Sequence, residues 1–291
     1  MQPTLHILSD QRDSLGEGPW WDERDATLYW VDSTGNAVHW ARLGDGVVST
    51  LPTPNEVGFV LQTHSGGLLA GCRDGLYSND GADSANWDLR WKANWDTSVL
   101  RINDGKTDRQ GRLWFGTLHD PETDPVANLF SADESTPRVR LDGVTVSNGL
   151  GWSPDSTLMY YADSATRAIR VFDYDATTGE FNNGRVFATD IGPCDPDGLT
   201  VDSEGCVWSA KWDGGRVVRY TPDGRIDREV EVPVSRPTSC IFVGSDLRTL
   251  AITSALPDVP ETEPLAGAVF LVDVGAQGLP EVRFDEEQLT G

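Results

Sequence analysis

Four side chains that end in oxygen occupy one register of this sequence. Glu17, Asn103, Asn148 and Asp197 each stand five residues before the polar residue that closes a short apolar run, namely Asp22, Asp108, Ser153 and Asp202. The same step back from Thr63 and Ser245 reaches Gly58 and Cys240, and glycine follows at Gly18, Gly149 and Gly198. An isolated Asp or Asn before a strand is most often a turn former. Glu17 is a poor one, and four positions in a common register argue for a shared task. If the six runs meet around one axis, two carboxylates and two amides converge there. That is an oxygen-only donor set, suited to a hard divalent cation.

The elements that would position these groups are strands. Long apolar stripes of helical period are scarce, and short runs rich in Val, Trp, Tyr and Leu alternate with Gly, Asp, Asn and Pro clusters. An apolar residue opens a strand after a polar turn at Leu28, Leu68, Leu113, Leu158, Val207 and Leu250, at successive spacings of 40, 45, 45, 49 and 43. Six units of this length predict an all-β chain, a six-bladed β-propeller occupying residues 1–291 as one domain. In each blade the first strand lines the channel. The loop leading into it and the loop after the second strand therefore share one face, at the channel mouth. The segment Thr4–Leu8 is expected to close the ring as the outer strand of the last blade, against Gly267–Val272, which removes an exposed edge.

Composition narrows the partners. The formal net charge of −23 argues against nucleic acid and against an anionic membrane surface. Neither a run of about 18 apolar residues nor a basic-then-apolar leader is visible, so a cytoplasmic location is expected. Lys92, Lys106 and Lys211 are the only lysines. An acidic, lysine-poor surface suits a high-salt cytoplasm, where screening relieves self-repulsion, and a lysine-poor genome produces the same composition. Cys72, Cys194, Cys206 and Cys240 show no C-x-x-C spacing and read as buried free thiols.

Other catalytic signatures are missing: no G-x-S-x-G, no H-E-x-x-H, and no glycine-rich phosphate loop with a lysine. His6, His39 and His64 read as strand or turn surface. His119, in "GTLHDPETD" with Asp120 and Glu122, lies where a blade runs onto the mouth face and could line a pocket or a solvated loop. Arg101 is the arginine nearest the four oxygens, two residues before Asn103. Aromatic strands such as "LYWVD" and "LWFG" read as packing between blades.

At these residues the chain resembles the regucalcin (senescence marker protein)/gluconolactonase-like sugar lactonases. The resemblance runs through "LGEGPWW", "RINDGKTDRQGRLWFGT", "SNGLGWSPD" with "YYADS", "FDYD", and "PDGLTVDSEGCVWSA" with "GGRVVRY". It implies a six-bladed propeller with one divalent metal at the channel mouth: calcium, zinc, manganese, magnesium or iron(II). It implies Glu17, Asn148 and Asp197 as metal ligands, Asp197 also as general base, and Arg101 and Asn103 as substrate-binding. An acidic side chain after the "GT" of the third blade would also touch substrate, and here Asp120 and Glu122 both offer one. The implied reaction is hydrolysis of a sugar lactone, by a monomer or weak oligomer. A non-catalytic calcium-binding regulatory protein and a metal-dependent phosphotriesterase are the alternatives on the same site.

Overall fold

The computed structural model describes residues 4–82, 84–132, 136–190, 192–256 and 262–289. They form six four-stranded antiparallel sheets, arranged as a six-bladed β-propeller. Blade 1 comprises β2 (Gly16–Asp22), β3 (Thr27–Asp32), β4 (Ala37–Arg42) and β5 (Ser49–Pro52). Blade 2 comprises β6 (Val57–Gln62), β7 (Leu68–Cys72), β8 (Gly75–Asn79) and β9 (Asp88–Lys92). Blade 3 holds β10 (Leu100–Thr107), β11 (Leu113–His119), β12 (Ala127–Ala132) and β13 (Arg138–Val144), and blade 4 holds β14 (Ser147–Trp152), β15 (Leu158–Asp163), β16 (Ala168–Asp175) and β17 (Glu180–Thr189). Blade 5 holds β18 (Asp195–Val201), β19 (Val207–Trp212), β20 (Arg216–Tyr220) and β21 (Ile226–Glu231). Blade 6 is built from β22 (Pro237–Val243), β23 (Thr249–Ser254), β24 (Phe270–Asp273) and, from the other end of the chain, β1 (Leu5–Ile7).

The second strands carry the large side chains that glue blade to blade. Trp30, Trp114 and Trp208 are fully buried, and each gives its indole N–H to a carboxylate, of Asp13, Asp108 and Asp202 respectively. The burial of so much ring area, with its one polar atom satisfied, explains why these strands are aromatic. One apolar cluster runs from Trp21 and Trp30 of blade 1 through Phe242, Ile252 and Phe270 of blade 6 to Trp208 of blade 5, so the core crosses the point where the ring closes.

Every innermost strand is irregular at its mouth end. The pairing register shifts between Glu17 and Trp20, Val57 and Phe59, Ile102 and Asp104, Ser147 and Leu150, Pro196 and Leu199, and Pro237 and Ser239. A bulge leaves one residue unpaired and bends the strand, so its side chain is re-aimed. The bulges fall on or beside Glu17, Gly58, Asn103, Asn148 and Asp197. In the sixth blade the bulged residue is Thr238 rather than Cys240. Its hydroxyl is buried against Thr253 Oγ1 and the Gly16 carbonyl, so it offers nothing to the mouth. The second blade has no side chain there because the backbone of the third fills the space: a Cβ on Gly58 would lie 2.4 Å from the Asn103 carbonyl oxygen.

Two aspartates at the ends of second strands hold the loops that lead into the bulges. Asp32 accepts from the N–H groups of Ser14 and Leu15, both at 3.0 Å. Asp163 accepts from Thr145 and Val146 in the same pattern. Each carboxylate thus satisfies two backbone donors that no strand partner could reach.

The other end of the channel is covered. After β24 the chain crosses the turn face, where Ser203 donates to the Gln277 carbonyl, Arg109 to that of Pro280 and Phe284 to that of Gln62. Arg283 reaches Asp22 at 2.6 Å, and Glu281 meets Lys106 of the channel at 3.1 Å. The segment after β24 thus covers the channel floor.

On the ring-closing edge, Leu5, His6 and Ile7 pair with Val272, Leu271 and Phe270. Deleting residues 1–8 should leave β24 with an open edge and lower the melting temperature by several degrees. An unchanged melting curve would show that β1 adds nothing to the stability of the sixth blade.

Candidate metal and substrate site

At the open mouth, bulged residues from four blades line one cavity of about 170 Å³ together with Leu15, Arg101, Leu118, Glu122, Val146, Ser164, Asp195 and Trp212. At about 30 Å³ per water this is roughly six water volumes, the scale of one small ring with its substituents. Its floor is polar, formed by Glu17, Asn103, Asn148 and Asp197, and Leu15, Leu118, Val146 and Trp212 supply apolar walls.

The four oxygen-bearing residues divide into three and one. The Asn148 amide donates to Ser164 Oγ at 3.0 Å, and the Ser164 hydroxyl donates in turn to the Pro196 carbonyl at 2.7 Å. That chain fixes the amide so that Oδ1 is left over. Asn148 Oδ1 and Asp197 Oδ1 are both buried without a hydrogen-bond partner, a state that costs free energy unless something else occupies them. Glu17 spends one oxygen on the N–H of Gly18, at 3.2 Å. Asn103 differs. Its Oδ1 accepts from Arg101 at 2.8 Å and its Nδ2 donates to the Ser147 carbonyl at 2.8 Å, so both ends are committed.

Electrostatics separate the same groups. Burial, then the neighbouring Asp104, pushes the Glu17 carboxyl up to about 8. Asp197 is raised well above the ordinary range, by burial and then by Glu17 and Asp104. Carboxylates crowded out of water hold protons, and a cation between Glu17 and Asp197 would remove the reason to do so. Orphaned oxygens, crowded carboxylates and an all-oxygen donor set make Glu17, Asn148 and Asp197 a fit for a hard divalent ion.

Of the two acids after Thr117, Glu122 faces the cavity and Asp120 stands behind Arg101. Asp120 meets Arg101 at 3.3 Å and Arg73 at 2.7 Å, while Glu122 lines the cavity from a left-handed turn position with φ 54. His119 is buried at the end of β11, accepting from the Asp124 N–H at 3.2 Å, and does not line the cavity. His39, expected at a surface, is 3 % exposed and sits 3.3 Å from Asp13. The four cysteines are free and buried.

Three contributors were not anticipated. Asp104 faces the channel below the cavity beside Leu150, Leu199 and Cys240 of other blades, and burial raises it to about 6. Strand alternation would send Asn103 and Asp104 to opposite faces; the bulge at Asn103 turns both toward the axis. Ser164 and Arg73 come from loops after second strands, where the sequence has no periodic signal. Two other groups of possible ligands occur among the described residues, Asp13 with Asp32 and His39, and Asp202 with Glu204 and Cys206. Their aspartates are already satisfied, by Trp30 and Gln11, by backbone N–H groups, and by Arg219 and Trp208.

A propeller whose innermost strands bring buried oxygen donors to one channel mouth is a small-molecule site built on a rigid ring. Residues 15–256 match the family described as the SMP-30/Gluconolactonase/LRE-like region, and the chain belongs to that family. A 6-deoxy-6-sulfogluconolactonase from Pseudomonas putida is 37% identical over 98% of this chain and 99% of its own length. An L-arabinolactonase from Azospirillum brasilense is 35% identical, with 96% of this chain and 94% of the relative covered. Among solved structures, a calcium-binding protein, regucalcin, from Agrobacterium tumefaciens superposes with a TM-score of 0.92 at 26% identity, covering 97% of both chains.

The raised carboxyls have a pH consequence. In metal-free protein the folded state retains the Glu17 proton, which the unfolded chain releases near 4.5, up to a pH of about 8. The folded state then binds more protons, so its stability should fall as pH rises through that window. Adding calcium should raise the melting temperature more at pH 8 than at pH 5, with proton release on binding. Equal stabilisation at both pH values would remove Glu17 from the ligand set.

Proposed function

We propose that this chain is a divalent-metal-dependent lactonase that hydrolyses a pentono- or hexono-1,4- or 1,5-lactone to the open-chain sugar acid. The observation that carries this reading is the pair of orphaned oxygens, Asn148 Oδ1 and Asp197 Oδ1, in a ring-sized cavity beside Glu17. The names of the lactonase relatives support it. Held by Glu17, Asn148 and Asp197, a divalent cation would supply Lewis acidity toward the lactone carbonyl.

The protein's own groups do the rest. Arg101, braced by Asp120 and hydrogen-bonded to Asn103, presents its remaining N–H groups to ring hydroxyls. Asn103 holds Arg101 and keeps the ring in attack geometry. A water beside Asp197 adds to the carbonyl carbon while the carboxylate takes its proton. The ring C–O bond then breaks, the ring oxygen leaves as a hydroxyl after regaining a proton, and the product departs as an anion. Leu118, Val146 and Trp212 shelter the reacting bond from bulk water. The same oxygens would also serve a non-catalytic calcium-binding protein, the reading favoured by the description of the Agrobacterium tumefaciens structure.

A pH-stat screen of pentono- and hexonolactones after chelation, with calcium, magnesium, manganese, zinc and iron(II) restored singly, tests the proposal. Chelation should abolish acid release and leave the far-ultraviolet β signal intact. Metal binding without turnover of any lactone would support the regulatory reading instead.

Asp197→Asn separates ligand from base. An amide oxygen still reaches the cation, so at saturating metal turnover should drop by about 10²–10⁴-fold, the usual contribution of a positioned base. Near-normal turnover would leave Asp197 as a ligand only.

A further inference from the structure

Four arginines near the mouth, Arg73, Arg101, Arg167 and Arg236, each meet an acid, while Arg12, in the loop entering β2, is held by the carbonyls of Ser9 and Gln11. Arg73 pairs with Glu56 and, at 2.7 Å, with Asp120, whose other oxygen lies 3.3 Å from Arg101. Arg167 holds Asp195 at 3.0 Å. Arg236, stacked 4.7 Å above the ring of Trp212, holds Asp213 at 2.8 Å.

The cavity wall itself carries Glu17, Glu122, Asp195 and Asp197 against Arg101 alone. With Glu17 and Asp197 committed to a divalent ion, Glu122 is the least compensated charge facing substrate. Burial, then Asp195 and Asp120, raise its carboxyl above the ordinary range, and Arg101 acts the other way.

We infer that this mouth selects uncharged lactones: Glu122, backed by Asp195, rejects sugar lactones that bear a phosphate or sulfonate on the exocyclic carbon. The inference rests on the lactonase reading, and it separates the chain from the relative whose name specifies a sulfonated substrate. An incoming anion would compete with the carboxylates already paired with Arg73, Arg167 and Arg236, and Asp120 already draws on the Arg101 guanidinium. A like charge about 7 Å away in a partly screened cleft lowers affinity by roughly tenfold, and a dianion loses more. The same field, and the net charge of −23, assist departure of the acid product.

The test measures kcat/KM of metal-restored, full-length protein on glucono-1,5-lactone and arabinono-1,4-lactone, on their terminal phosphates, and on the 6-deoxy-6-sulfo analogue. The uncharged lactones should exceed their charged partners by at least about tenfold, with the gap narrowing in molar salt. Glu122→Gln and Asp195→Asn should each raise the ratio of charged to uncharged turnover, a quantity in which a general loss of activity cancels. Charged lactones turned over within about threefold of the uncharged ones, or a ratio that neither substitution moves, would overturn the inference and leave the lactonase reading standing. No turnover of any lactone would overturn both.

Discussion

Six strands enter a narrow channel side by side, and the backbone crowding this imposes governs the rest of the molecule. Each innermost strand relieves it by a bulge at the mouth end. Where neighbouring strands press closest, glycine is required: a Cβ on Gly149 would lie 2.6 Å from the Asp197 carbonyl oxygen. The bulge also leaves side chains unpaired and directed at the axis, so the device that lets the ring close delivers the oxygen donors. Scaffold and site therefore share one cause.

The buried polar atoms form a graded series. At the turn face, Asp108 and Asp202 are saturated by N–H, indole and guanidinium donors and fasten the blades. Along the mouth loops, Asp32 and Asp163 accept backbone donors and set the path into the bulges. At the axis, the buried Asn148 Oδ1 and Asp197 Oδ1 stay unmatched beside carboxyls that burial forces to hold protons. Unsatisfied groups of this kind destabilise a fold unless a ligand completes them, which makes the deficit at the axis a candidate ligand site.

Rigidity and charge divide the remaining work. The tail that covers the channel floor, through Arg283 and Asp22 and through Glu281 and Lys106, leaves the mouth as the open end of the cavity. The Arg73–Asp120–Arg101 chain links a loop of the second blade to a cavity-lining guanidinium of the third. The second blade, which has only Gly58 at its bulge, contributes by this indirect route.

Much of this was legible in the linear chain because a propeller repeats. A steady spacing of Leu28, Leu68, Leu113, Leu158, Val207 and Leu250 reports six sheets, since each blade must present the same alternation to the same neighbours. The register that singled out Glu17, Asn103, Asn148 and Asp197 carries over for the same reason. Periodicity carries no information about loops, so it could not choose between Asp120 and Glu122, nor find Arg73 or Ser164. Nor could it show that Asn103 spends its oxygen on Arg101, or that Asp104 shares the axis with its neighbour against strand alternation. Those outcomes depend on bulges and on contacts between residues distant in the chain, and such distances exist only once the ring has closed.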